Sequence, residues 1–285
     1  MFQRKNKVKV RKLRFQRPKL ERPAMNRMIP NMITVAALCA GMTGIRFALN
    51  GEWQAAVAAV LVAGVLDGLD GRIARLLNAT SKFGAELDSL SDFLAFGVAP
   101  AVIVYMWSVN QLGGLGWAVC LLLAVCAALR LARFNTALGD PNPPPWTRNY
   151  FTGIPAPAGA LLALLPMIAT FNLGPEAWTS WPWLNALWVL LVGCGMVSRI
   201  PTFSAKKVHL PPALMLPALL GVGILAVAIS SAPWVTILFG GVAYILTIPI
   251  AWFMQRRERE RALMMPMPMP SLPAVDSIEE DREQH

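Results

Sequence analysis

Four aspartates, Asp67, Asp70, Asp88 and Asp92, stand in an otherwise mostly apolar stretch, VLDGLDGRIARLLNATSKFGAELDSLSDFLAFG. A carboxylate at membrane depth costs roughly 2.5 to 3.5 kcal/mol on insertion scales, so such a cluster marks a functional site. On helices, Asp67, Asp70, Gly71 and Ala74 share one face at i, i+3, i+4 and i+7. Gly84, Asp88 and Asp92 share a face of the following helix, and the connection near Asn78–Phe83 is short enough for the two faces to meet. Converging carboxylates repel one another and take up protons unless cations neutralise them. A pair of divalent metals does this economically, and all-oxygen ligands select Mg²⁺ or Mn²⁺, ions that usually bridge phosphate oxygens. The small Gly71, Ala74 and Gly84 let a bulky diphosphate approach the helix backbone, and Arg75 can clamp it in two-pronged fashion. Asp92, one turn beyond Asp88, is placed to act as a general base. Two other readings fit the spacing: an acid-lined cation pathway, and an ion-pair network of the aspartates with Arg72, Arg75 and Lys82.

The elements that must position these acids are membrane helices. The 285-residue chain is 55% hydrophobic and 15% charged, with a mean hydropathy of +0.49, which excludes an ordinary soluble globule. Apolar runs at about 30–49, 53–77, 86–109, 115–138, 154–172, 183–199, 211–231 and 233–253 each approach the roughly 20 residues a crossing helix needs. The fold class is therefore all-α, a polytopic membrane protein of about eight transmembrane helices. The net charge of +10 has its basic residues in alternate connections, with Arg72, Arg75, Lys82, then Arg130, Arg133, Arg148, then Arg199, Lys206, Lys207, then Arg256, Arg257, Arg259 and Arg261 on the side of the N-terminal arm. This positive-inside pattern puts both termini and the acids' end of the bundle in the cytoplasm, as in a bacterial-type inner membrane. A basic arm spans 1–28, the transmembrane domain 29–255, and a tail without a foldable pattern 256–285. The arm is read as a topology signal resting near anionic lipid; nucleic-acid binding is set aside because Phe2 and Phe15 are its only stacking aromatics. Cys39, Cys120, Cys126 and Cys194 lie in apolar runs without metal-ligand spacing and read as small buried hydrophobes.

Written with its spacing, the acidic stretch is D-x2-D-G-x2-A-R-x8-G-x3-D-x3-D. It resembles at every position the signature of the CDP-alcohol phosphatidyltransferases. The resemblance implies a two-metal membrane enzyme that displaces CMP from a CDP-linked donor with an alcohol. It implies Asp67, Asp70 and Asp88 as metal ligands, Asp92 as ligand and proton acceptor, and Gly71, Arg75 and Gly84 as the nucleotide and diphosphate cradle. Further stretches, IPNMIT (29–34), FGVAPA (96–101), ALRLARFN (128–135), FTGIPAPA (151–158) and SRIPTFSAKK (198–207), resemble the membrane-embedded phosphatidylserine synthases within that family. For that subgroup the donor is CDP-diacylglycerol, the acceptor L-serine, and the resemblance suggests a homodimer among membrane lipids.

An amino-acid acceptor needs a cation for its carboxylate, and Arg130, Arg133 and Lys206, with Asn135 as an amide partner, are the candidates, Arg133 and Asn135 before the lysine. Positive-inside anchoring explains these cations equally well. Asn31 and Thr34, one turn apart at the start of the first span, either bond the cytosine or phosphate of the donor or cap a helix after Pro30. Acceptors carrying a phosphate, glycerol 3-phosphate or an inositol phosphate, remain the rival substrates.

Overall fold

A computed structural model describes residues 24–138, 150–203 and 215–264. Lys206, the proline-rich segment after Asp140, most of the basic arm and the tail beyond Met264 lie outside the described residues.

Each apolar run is a helix. The order is α1 (Ala24–Leu49), α2 (Trp53–Leu76), α3 (Lys82–Asp92), a π-helical segment (Phe93–Val98), α4 (Ala99–Trp107), α5 (Gly114–Leu138), β1 (Tyr150–Thr152), α6 (Ala156–Leu173), α7 (Pro182–Val197), β2 (Pro201–Phe203), α8 (Met215–Ser231) and α9 (Pro233–Met264). Among the described residues, five stretches are long and apolar enough to cross a bilayer: Met28–Leu49, Lys82–Trp107, Gly114–Ala137, Ala156–Leu173 and Pro233–Arg257; α7 and α8 are shorter apolar helices. The chain is an integral membrane protein. α1 begins at Ala24, and α9 runs through the basic residues to Met264.

The all-α expectation needs one small correction. β1 and β2 pair antiparallel, with Phe151 opposite Thr202, and no alternation of polar and apolar residues announces strands of three residues.

Small residues set how closely the site helices approach. Ala37, Ala48, Ala56, Ala63, Ala95 and Ala99 are all but fully buried, and α1 packs along α2. A Cβ on Gly41 would come within 2.8 Å of the Ala95 backbone, so glycine there lets α1 lie against the π-helical segment. That segment has a physical cause at its end. Pro100 has no N–H to give the Phe96 carbonyl and its ring would collide with that carbonyl in a regular α-turn; the chain instead takes a wider turn, with the Ala99 N–H reaching Leu94 O. By contrast α8 buries none of its residues in the protein; Leu219 and Ile224 are each 70% exposed, as a lipid-facing helix requires.

Candidate active site

The acids meet because a tight connection folds α3 back beside α2. Asn78 takes the left-handed conformation (φ 49°), and Ala79 N–H donates to Ala74 O at 2.8 Å, closing α2 with a wrapped-back terminus. Three residues on, the Ser81 hydroxyl accepts the Gly84 N–H at 3.0 Å and caps α3. The opposed faces then bring one carboxylate oxygen each from Asp67, Asp70 and Asp88 within 4.8 Å of one another. Asp92 faces Asp67 at hydrogen-bonding range, and its Oδ1 is buried without a partner.

The surroundings decide among the readings of the spacing. The neighbours acting on these carboxylates are chiefly the other carboxylates and Thr34, with Arg130 coupled to Asp92; Arg72, Arg75 and Lys82 are not among them. An ion-pair network with those three cations is therefore not what this corner is built as. Four acidic groups facing one another, one oxygen orphaned in the interior, form a donor set that fits hard divalent cations.

Beside the acids opens a cavity of about 400 Å³. Asn31, Thr34, Asp70, Gly71, Ala74, Arg75, Gly84 and Asp88 all line it, so the structure brings together every residue proposed for the donor's head group. Gly71 has open space where a Cβ would stand, and the exposed Arg75 reaches the cavity from the same helix. Gly84 works differently. A Cβ there would lie 2.9 Å from Asn31 Oδ1 and 3.1 Å from Ser81 Oγ, so the missing side chain makes room for Asn31 rather than for empty space.

Asn31 and Thr34 are not helix caps, because α1 starts at Ala24, about two turns before Asn31. Buried Thr34 instead holds an acid in place: its hydroxyl donates to Asp70 Oδ2 at 2.6 Å, with Pro30 O at 3.1 Å as a second acceptor. Ser91 in turn donates to the Thr34 carbonyl at 3.1 Å, tying α3 to α1. Sequence reasoning missed Ser91 and the Thr34–Asp70 bond; only a serine or threonine facing the acids from a remote span could have signalled them.

The residues proposed for the acceptor separate into different jobs. Arg133 spends its guanidinium on backbone, Nη1 donating to Val197 O at 2.8 Å and Nη2 to Thr152 O and Ser198 O at 3.1 Å each. It straps β1 to the end of α7. Asn135 donates to Ser89 Oγ at 2.9 Å, joining α5 to α3. Arg130 is only 8% exposed, lies under the electrostatic influence of Asp92, and has an Nε that no acceptor satisfies.

Comparison with known proteins agrees with the geometry. The family profile described as CDP-alcohol phosphatidyltransferase matches residues 27–197, and that of CDP-alcohol phosphatidyltransferase 2 matches residues 213–249. A CDP-diacylglycerol–serine O-phosphatidyltransferase of Mycobacterium leprae (strain TN) is 40% identical over 240 residues, covering 84% of this chain and 79% of the relative. The protein of that name from Helicobacter pylori (strain ATCC 700392 / 26695) is 40% identical over 182 residues, 64% of this chain and 74% of the relative. That from Bacillus subtilis (strain 168) is 36% identical over 145 residues, 50% and 77% of the two chains. On the matched length, the acidic corner and the cavity beside it, the chain belongs to the CDP-alcohol phosphatidyltransferase family.

Proposed function

We propose that the enzyme transfers the phosphatidyl group of CDP-diacylglycerol to the hydroxyl of L-serine and releases CMP. The observation that carries this reading is the convergence of Asp67, Asp70 and Asp88 at the mouth of a cavity lined by the donor-head residues, in a chain 40% identical to proteins named for that reaction. Asp67, Asp70, Asp88 and Asp92 would hold two divalent cations, Mg²⁺ or Mn²⁺. Bound there, such ions supply positive charge against the diphosphate and the departing CMP.

The chain's own residues do the rest. Asn31, Gly71, Arg75 and Gly84 receive the CDP head, and the absent side chain at Gly71 lets the diphosphate lie along α2. Thr34 fixes the rotamer of Asp70 by its hydrogen bond. The serine hydroxyl oxygen forms the new bond to the phosphatidyl phosphorus, the anhydride bond to CMP breaks, and the hydroxyl proton passes to Asp92. Arg130, Arg133, Asn135 and Lys206 form the acceptor side in this reading, Arg130 through its guanidinium and Arg133 by bracing the backbone around it.

The same reading puts eight crossing helices in a bacterial-type inner membrane, with both termini and the site on the cytoplasmic face. Residues 29–255 are the catalytic membrane domain, flanked by the basic arm and the tail, and the enzyme works as a homodimer. Acyl chains then stay in the bilayer while the CDP head reaches the acids, and serine arrives from the cytosol. Purified protein supplied with CDP-diacylglycerol, Mg²⁺ or Mn²⁺ and isotopically labelled acceptors should release CMP and label phosphatidylserine. Label entering lipid from glycerol 3-phosphate or an inositol phosphate, and not from serine, sinks the choice of acceptor. Ion flux without CMP release sinks the enzyme reading altogether.

A further inference from the structure

Among the described residues, four side chains hold a buried polar atom without a hydrogen-bond partner: Asp92 Oδ1, Arg130 Nε, Tyr244 OH and Asn185 Oδ1. Such atoms are rare in folded proteins and call for a cause. Asn185 belongs to a polar knot elsewhere in the bundle, where its amide donates to Ser108 Oγ at 2.9 Å. The other three form a series. Arg130 acts electrostatically on both Asp92 and Tyr244, and Tyr244 lies beside Thr202 of β2. They come from three separate elements, α3, α5 and α9, and each leaves the one named atom without a hydrogen bond of good geometry, although Asp92 also faces Asp67.

We propose that the Tyr244 hydroxyl and the Arg130 guanidinium form the subsite for the carboxylate of the acceptor amino acid, with Tyr244 as a specificity-determining residue supplied by α9. The inference rests on the phosphatidylserine synthase reading above. A phenol O–H and a guanidinium are both donors, so together they suit a monoanionic oxygen ligand. Asp92, at the other end of the series, is the group that takes the hydroxyl proton. A small molecule with a carboxylate at one end and a hydroxyl at the other therefore matches the order of the groups, and a β-hydroxy amino acid is such a molecule.

The second cation nearby does not compete for the role. Arg133 gives both Nη atoms to three carbonyls, and Gly153, in the strap it holds, has φ +80°, where a Cβ would run into the Met196 carbonyl. Thr202 is held too, its hydroxyl donating to Gly153 O at 3.0 Å. The floor under Tyr244 is thus fixed by the fold: the Thr202 hydroxyl stands next to the phenol but gives its own proton to Gly153 O, and the Tyr244 oxygen keeps no partner of good hydrogen-bond geometry among the described residues. One guanidinium and one phenol answer a single negative charge; a phosphate dianion would ask for more cations than this corner offers among the described residues.

Kinetics of the full-length enzyme in lipid nanodiscs, with CDP-diacylglycerol and L-serine varied independently, tests this. Tyr244→Phe keeps the ring and removes one donor, so the KM for serine should rise roughly tenfold, the loss expected for one hydrogen bond to a charged group. The KM for CDP-diacylglycerol and kcat should stay within about twofold of wild type, since the donor cavity lies elsewhere. Arg130→Lys, which keeps the charge and loses the planar fork, should raise the serine KM as well. The wild-type preference for serine over serinol, which lacks the carboxylate, should shrink in Tyr244→Phe. An unchanged serine KM and an unchanged preference in Tyr244→Phe, or equal rises in both KM values, overturns the subsite. Wild-type enzyme that makes no phosphatidylserine would instead overturn the parent reading, so the two failures are told apart.

Discussion

The acidic corner and the proposed acceptor corner of this molecule are built on opposite plans. In the first, Asp67 to Asp92 lie in one unbroken stretch, and a five-residue turn from Leu77 to Ser81 is enough to bring their faces together. In the second, Arg130, Thr202 and Tyr244 come from distant parts of the chain, and their neighbourhood is held by Arg133 bridging α5 to Thr152, Val197 and Ser198. The contrast has a chemical logic. A reaction common to a family needs a cation-binding geometry that tolerates little error, and local connection supplies it with few long-range conditions. A corner assembled from separate helices, by contrast, can change without disturbing the acids.

The contrast is tested hardest at Asp92. Asp92→Asn keeps the shape and removes the base and one anionic ligand, so CMP release should fall by about 10² to 10⁴-fold, the range for loss of general-base assistance. The apparent melting temperature in detergent without added divalent cations should hold, because the amide keeps the size and shape of the buried side chain. A variant that keeps more than a tenth of wild-type turnover would remove Asp92 from the chemistry and dissolve the division between the corners.

Arg133 probes the other side, and there stability should move. Arg133→Met retains apolar bulk but strands three carbonyls, two of them on the partly exposed end of α7. The expected cost is about 2 kcal/mol, at the lower part of the range for unsatisfied groups because water reaches some of them. For a chain of this size that lowers the melting temperature by roughly 4 to 8 °C. The KM for CDP-diacylglycerol should be unaffected. A drop in CDP-diacylglycerol affinity with no loss of stability would mean that Arg133 serves the donor and that the two corners are one.

These two residues also mark how far the sequence could be read. The face that gathers the acids was legible because helical periodicity converts spacing into direction: i, i+3, i+4 and i+7 are neighbours whatever the rest of the fold does. The membrane helices were legible because hydropathy acts over each helix separately. Arg130 and Arg133, by contrast, are identical in type and one turn apart, and nothing local tells the buried guanidinium with an unsatisfied Nε from the one spent on backbone. The partners that decide it, Val197, Ser198 and Thr152, join through tertiary packing alone. Tyr244 stands in the apolar run 233–253 with no local sign of Arg130 or Thr202, for the same reason. The π-helical segment was hidden differently, since Pro100 was visible but its effect on the turn before it depends on how α4 packs.

Gly84 gives the finest test of the acidic corner. As a motif glycine it reads as a gap for the diphosphate, yet its missing Cβ is faced by Asn31 Oδ1 at 2.9 Å and by the capping Ser81 Oγ at 3.1 Å. Gly84→Ala therefore presses first on Asn31, a flexible side chain able to swing away, and only second on the cap. The acids sit one turn or more further along α3 and should keep their positions, so kcat should change less than twofold. With Asn31 turned from the cavity wall, the KM for CDP-diacylglycerol should rise about three- to tenfold, the loss of one neutral to charge-assisted hydrogen bond. Asn31→Ala in the wild-type background should give a rise of the same size, and the double variant should be no worse than either single change, because both remove one contact. Additive losses would mean that Gly84 meets the donor directly, and the local plan of the acidic corner would then extend from the cations to the nucleotide itself.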